Sequence, residues 1–174
     1  MMSGCMSAFP GMQSGELSPG LARLKGEHAP LREKLAGLFS LTEKIESEEN
    51  INQLFVELIK SVETFKAELD SHSEREEGVL FPMMGTYIGT TSGPIAVMEY
   101  EHEQAKSFIN AFLENAEKEN PTLEEMKNSA ELVKNAHNIL TEHFTKEENV
   151  LFPMAERMLS DEEKEELLKR IQEI

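Results

Sequence analysis

Two stretches of this 174-residue chain carry nearly the same twelve residues, HSEREEGVLFPM from His72 and HFTKEENVLFPM from His143. In each, a glutamate follows the histidine by four positions: His72 and Glu76, His143 and Glu147. Four residues is about one helical turn, so on a helix each imidazole and its carboxylate share a face. Two more histidines, His28 and His102, stand among apolar residues at helical spacing. A buried, unpaired carboxylate is costly; it protonates, finds a partner or binds a metal. Two buried carboxylates facing each other also repel. Cations placed between four imidazoles and two carboxylates answer both problems. Imidazole plus carboxylate, without thiolate, suits iron, manganese or zinc. A lone HxxxE, or one inward histidine, more often marks a satisfied core residue. The metal reading rests on the duplication and on all four histidines sharing apolar faces. His137 is the control: it lies about 120° off the His143 stripe and reads as a packing or surface residue.

The elements that must position these groups follow from periodicity. Taken at about 100° per residue, Leu21, Leu24, Leu31, Leu35 and Phe39 share the face of His28. Ile95, Met98, Ala105, Ile109 and Leu113 share the face of His102, at a constant offset of 74 residues. Leu54, Leu58, Phe65, Leu69, His72, Glu76 and Val79 form a third stripe. Leu132, Ala136, Leu140, His143, Glu147 and Val150 form a fourth. Start signals precede three of the helices: Ser18-Pro19-Gly20, Ser92-Gly93-Pro94 and Asn120-Pro121. Residues 84–92 read as the loop joining two halves. Ser160 with Glu163 reads as the capping box of a short last helix. The chain is therefore an internal repeat of a helical hairpin. The expected fold is all-α, an up-down-up-down four-helix bundle with an extra C-terminal helix. Residues 1–17 read as a flexible tail, 18–155 as the bundle, and 156–174 as a helix packed on it or extending it. Pro30 lies inside the first helix, where a proline costs about 3 kcal/mol, and predicts a kink or bulge beside His28. Pro82 and Pro153 should end or bend the second and fourth helices.

Charge narrows the function. Asp and Glu outnumber Lys and Arg by 33 to 17, a formal charge of −16. Such a surface argues against nucleic acid and against anionic membranes. No apolar run approaches the ~18–20 residues of a membrane span. Nothing at the N-terminus reads as a signal peptide. A lone cysteine, Cys5, permits no intramolecular disulfide, and a cytoplasmic setting fits best.

The order His…HxxxE…His…HxxxE, with LFP after each HxxxE and GPIAVMEYEHE at the third helix, resembles the hemerythrin-like, HHE cation-binding family. The resemblance covers about residues 18–155. It implies a bundle around a non-heme di-iron centre. His28 and His72 would hold one iron and His102 and His143 the other. Glu76 and Glu147 would bridge them, with a solvent-derived oxo or hydroxo group. Zinc or manganese in place of iron stays open. Oxygen-carrying hemerythrins have a further histidine one turn after the third-helix ligand, where this chain has Lys106, and tend to have HxxxxD in the fourth helix. The set of four His and two Glu resembles the branch associated with iron–sulfur cluster repair and nitric-oxide stress. That branch often carries a small N-terminal domain with paired cysteines, which residues 1–17 do not resemble.

Two imidazoles, two carboxylate oxygens and one bridging oxygen would fill five of the six positions of an octahedron on each iron, leaving one open, where O2, NO or peroxide would bind. Glu99, Glu101 and Glu103 are candidates to fill it, Lys106 to stabilise a bound anion, and Glu27 and Glu101 to orient ligands. The function expected is binding of a small diatomic or peroxide ligand in redox sensing, stress defence or iron–sulfur cluster repair. Iron handling or sensing without ligand chemistry is the alternative. No nicotinamide, flavin or nucleotide motif is present, so any redox or iron–sulfur partner is a separate protein. A ligand-binding protein is expected before an enzyme, as monomer or homodimer.

Overall fold

The computed structural model describes residues 16–47 and 50–174. Cys5 and all of the expected tail but residues 16 and 17 lie outside them. The described residues are helical, with no strand among them. Helix α1 spans Pro19–Gly26, α2 His28–Glu46, α3 Ile51–Arg75, α4 Phe81–Ile88, α5 Gly93–Ala116, α6 Leu123–Lys146, α7 Phe152–Met158 and α8 Asp161–Ile171. The four long helices α2, α3, α5 and α6 form the bundle. α2 packs between α3 and α6, and α5 against α6 and α3. Short connections force sequential neighbours to run antiparallel.

The prolines shape this bundle at the levels where chemistry is expected. The helix of the first stripe is broken at Glu27, beside His28, as Pro30 predicts. Starting a fresh helix at His28 puts Pro30 in its first turn, where no backbone N–H is required. Pro82 and Pro153 do not end their helices. Each is preceded by one wide turn, Glu76–Leu80 and Glu147–Leu151, in which Phe81 N–H reaches Glu76 O and Phe152 N–H reaches Glu147 O. These five-residue hydrogen bonds are π-type turns. They make room for the proline ring, and each inserts a residue that rotates everything after it.

That rotation and the caps correct several sequence expectations. The loop expected over 84–92 is shorter, because α4 runs on to Ile88 and ends at Gly89, whose φ of 77° only glycine adopts without strain. Asn120-Pro121 lies just outside the fourth stripe's helix. The cap is Thr122, whose hydroxyl accepts from Glu125 N–H at 3.1 Å. Ser160 and Glu163 form the capping box expected of α8. Phe39 and Leu113 are only half-buried, while Leu38 and Phe112 fill the core beside them. Val150 is 52% exposed, although its counterpart Val79 is 3% exposed. The reason is α8, which packs over α1 and the first wide turn and has no equivalent in the second half. Gly20 makes that approach possible: a Cβ there would lie 3.1 Å from Leu167 Cγ.

The apolar interior divides into two clusters. One runs from Leu31 and Leu69 through Phe65, Ile109 and Leu140 to the far end. The other gathers Leu21, Leu24, Leu80, Phe81, Phe152, Leu167 and Ile171. Between them, in the middle of the molecule, lies a polar layer.

Candidate metal centre

The polar layer consists of His28, His72, Glu76, His102, His143 and Glu147, each at most 1% exposed. Each stripe delivers one imidazole, and the wide turns begin at the two glutamates. His72 Nε2 lies 2.7 Å from Glu76 Oε1, and His143 Nε2 lies 3.0 Å from Glu147 Oε1. The halves then interlock. His28 Nε2 stands 3.3 Å from Glu147 Oε1, and His102 Nε2 stands 3.7 Å from Glu76 Oε1. Two overlapping groups result, His28–His72–Glu76–Glu147 and Glu76–His102–His143–Glu147, each with donor atoms within 4.8 Å of one another. The two carboxylates are common to both, which is the arrangement of a two-ion site.

The residues fit such a group on their own hydrogen bonding. Neither oxygen of Glu76 or Glu147 has a hydrogen-bond partner, nor do His102 Nε2 and His143 Nε2. His72 Nε2 and Glu76 Oε1 meet at 2.7 Å as an ion-pair contact. Buried polar atoms left unpaired in such number need an explanation, and cations between them supply one. Charges respond to the crowding. Burial and the nearby His72 charge push His28 down to about 4. Burial and His102 do the same to His143. Neutral imidazole is the form that ligates a metal. Burial opposes the charge of His72, but the Glu76 carboxylate and the bond to Glu27 outweigh it and raise His72 to about 9. Burial likewise opposes the charge of Glu76, and His72 overcomes it, holding Glu76 at about 2.

An outer ring of four carboxylates stands behind the imidazoles, three of them hydrogen-bonded to an imidazole nitrogen. His72 Nδ1–H donates to Glu27 Oε1 at 2.9 Å, and His143 Nδ1–H to Glu101 Oε1 at 3.2 Å. His102 Nδ1–H donates to Glu77 Oε1 at 2.9 Å. Glu148 Oε2 lies 3.6 Å from His28 Nδ1. An ionised carboxylate only accepts, so each bond fixes the proton on Nδ1 and turns Nε2 inward. Cations stand behind this ring: Arg75 on Glu27 at 2.6 Å, Lys146 on Glu101 at 2.7 Å, and Arg32 on Glu148. Phe144 stacks on the His28 ring with centroids 4.4 Å apart, closing that side to water.

Of the orienting residues expected, Glu27 and Glu101 take that place, but behind His72 and His143 rather than behind their sequence neighbours. Glu101 does not complete the centre, nor do Glu99 and Glu103, which line a groove outside it. Lys106 does not bend inward; its Nζ lies 3.8 Å from Asp70 Oδ1. His137 stacks on Phe39 with centroids 4.6 Å apart, a packing residue as expected. Glu77 and Glu148 were not anticipated. Their signal was present: both copies of the repeat read Glu-Glu, not a single Glu. On a helix the second glutamate lies about 100° round from the first, at the edge of the layer rather than in it.

Fold and site define a metal-binding helical bundle. The hemerythrin HHE cation-binding domain matches residues 19–155, and the chain belongs to that family. Among curated relatives it is similar to the iron–sulfur cluster repair protein YtfE of Escherichia coli O157:H7 and of Salmonella schwarzengrund strain CVM19633. Each is 33% identical over 102 residues, covering 56% of this chain and 46% of the relative. The matched stretch is thus less than half of those relatives' length. No helix of the described residues is long and apolar enough to cross a membrane.

Proposed function

We propose that the chain holds a non-heme di-iron centre and uses it to bind a small diatomic or peroxide ligand, O2 or NO, in stress defence, redox sensing or iron–sulfur cluster repair. His28 and His72 would hold one ion and His102 and His143 the other, with Glu76 and Glu147 shared between them. The observation that carries this reading is the pair of buried carboxylates with no hydrogen-bond partner on any of their four oxygens, ringed by four imidazoles. A bound pair of irons supplies open coordination positions and one-electron redox change. The chain supplies the rest. Nδ1 bonds to Glu27, Glu77 and Glu101 fix three rings against rotation. Phe144 and the two apolar clusters keep bulk water from the layer. Lys106, directed at Asp70, leaves that side of the centre without the further histidine of oxygen carriers. That absence favours sensing or repair over oxygen transport, as does similarity to proteins named for iron–sulfur cluster repair.

The test is metal analysis of protein from its native host, with visible spectra of the reduced form under O2 and under NO. Two irons per chain and an absorption that changes with either gas are expected. Iron-free protein, or a spectrum indifferent to both gases, overturns the reading. A cytoplasmic setting and a separate iron–sulfur or redox partner belong to the same proposal. The second reading, iron handling, draws on the outer ring, whose four carboxylates are not equally secured.

A further inference from the structure

The two halves of the molecule place a cation at equivalent positions behind the imidazoles, but not the same cation. Arg32 corresponds to Lys106 at the 74-residue offset, and Arg75 corresponds to Lys146 in the twelve-residue repeat. Following the contacts rather than the sequence, both arginines serve one side. Arg75 secures Glu27, which holds His72, and Arg32 secures Glu148, which faces His28. Arg32 also lies over the Phe144 ring, 5.8 Å from its centroid. Both lysines stand behind the other side. Lys146 bonds Glu101, which holds His143. Lys106 turns to Asp70 instead and reaches Glu77 only through its field. Arginine binds a carboxylate through a rigid planar fork, whereas lysine is a point charge on a mobile stem. Glu77 is also the most open of the four: its side chain is 38% exposed, against 21% for Glu27, 19% for Glu148 and 14% for Glu101.

Glu77 opens onto a groove of about 800 Å³, lined also by Glu99, Glu103, Lys106 and Glu114. Acid-lined concave surfaces concentrate cations. Grooves also reach Glu148 and Glu27, and the one at Glu27 touches His72, but in each the arginine bonded to that carboxylate is part of the lining and holds it in place.

From this asymmetry we infer that the two metal positions are unequal: the ion between His102 and His143 exchanges through the groove at Glu77, while the ion between His28 and His72 is retained. This rests on the metal reading above and adds which ion moves and by what path. Glu77 swings from His102 Nδ1 into the groove, freeing the imidazole to turn, and Lys106 does not hold it back. The three remaining outer carboxylates keep their direct cation partners, so His72 and His143 stay oriented by their Nδ1 bonds, and His28 stays packed on Phe144, while His102 moves.

The test loads the full chain with ferrous iron without oxygen and extracts it with excess bipyridine, following the coloured complex. Two phases of equal amplitude are expected, with rates differing at least about tenfold, the scale on which orienting partners alter metal affinity. Lys106→Arg should slow the fast phase alone, and Arg32→Lys should speed the slow phase alone. His102→Ala should keep one slowly released ion, and His28→Ala one rapidly released ion. Two ions leaving at a single rate, or Lys106→Arg slowing both phases alike, overturns the inference while leaving the di-iron reading intact. Failure of the wild-type chain to take up iron at all overturns both.

Discussion

His28 Nε2 and His72 Nε2 face each other 3.2 Å apart across the bundle, on side chains shielded from water. Two imidazole nitrogens so close must share a proton or a cation. The surroundings assign the proton to His72, whose pKa is raised to about 9, and withhold it from His28, lowered to about 4.

Metal uptake should therefore displace that proton. At pH 7 the metal-free chain should carry it on His72, next to Glu76, in the group proposed to hold the ion. About one proton per chain should appear on loading the His28–His72 position, because a ligating imidazole must be neutral. Apparent affinity should climb between pH 6.5 and 9. Calorimetric titrations in buffers of different ionisation enthalpy measure the release, and the same heat in every buffer would contradict it.

Stability of the metal-free chain should pass through a maximum near pH 6.5. For His72 the folded pKa is raised, so its contribution is complete below the unfolded value of 6.5 and vanishes as pH rises through about 9. For His28 and His143 the folded pKa is lowered to about 4. The unfolded chain then takes up protons below 6.5 that the folded one refuses, and stability falls as pH drops from 6.5 to 4. Glu76, held at about 2, adds a contribution present above 4.5 and lost towards 2. Melting temperature against pH in the presence of a chelator reads the curve. A flat profile from 5 to 9 would count against the charge assignments.

Removing a bridging carboxylate should differ from removing an imidazole. Glu147 lies within reach of His143 and of His28, one in each group. Glu147→Ala should lower retention of both ions, whereas His143→Ala should leave one ion per chain. Iron per chain after gel filtration separates the two patterns. Equal stoichiometry in both variants would mean that the carboxylate bridges nothing.

The outer ring should matter without touching metal. Glu27→Gln keeps the shape and a hydrogen-bond acceptor but loses the charge that holds His72 and pairs with Arg75. Metal affinity should fall roughly 10–100-fold, with the helical content unchanged by circular dichroism. An affinity equal to that of the wild type would show that the bond to His72 Nδ1 is incidental.

The C-terminal helix offers a stability test remote from the centre. Gly20→Val places side-chain atoms where Leu167 and the Leu168 backbone already lie. A cost of about 1–3 kcal/mol is expected from overpacking, seen as a lower denaturation midpoint at unchanged metal stoichiometry. Full stability would mean that α8 shifts freely on α1.

Much of this molecule is local in origin. The histidines and first glutamates of the layer were legible because an α-helix repeats every 3.6 residues, and that period survives in the letters of each stripe. The duplication doubled the signal. The prolines announced where helices would deviate, and the break beside His28 appears where Pro30 required it. Glu77 and Glu148 were harder to read. They stand one position off the stripe, and the imidazoles they face, His102 and His28, belong to the opposite half of the chain.

The sequence by itself determined the four stripes, the six polar residues on them and the acidic surface, because periodicity and composition are carried by near neighbours along the chain. Tertiary packing alone settles which glutamate stands behind which histidine, that both arginines back the carboxylates facing His28 and His72, and that α8 covers Val79 but leaves Val150 exposed. Those relationships join residues tens of positions apart. They are fixed by how packed helices cross, and crossing geometry leaves no period in the sequence.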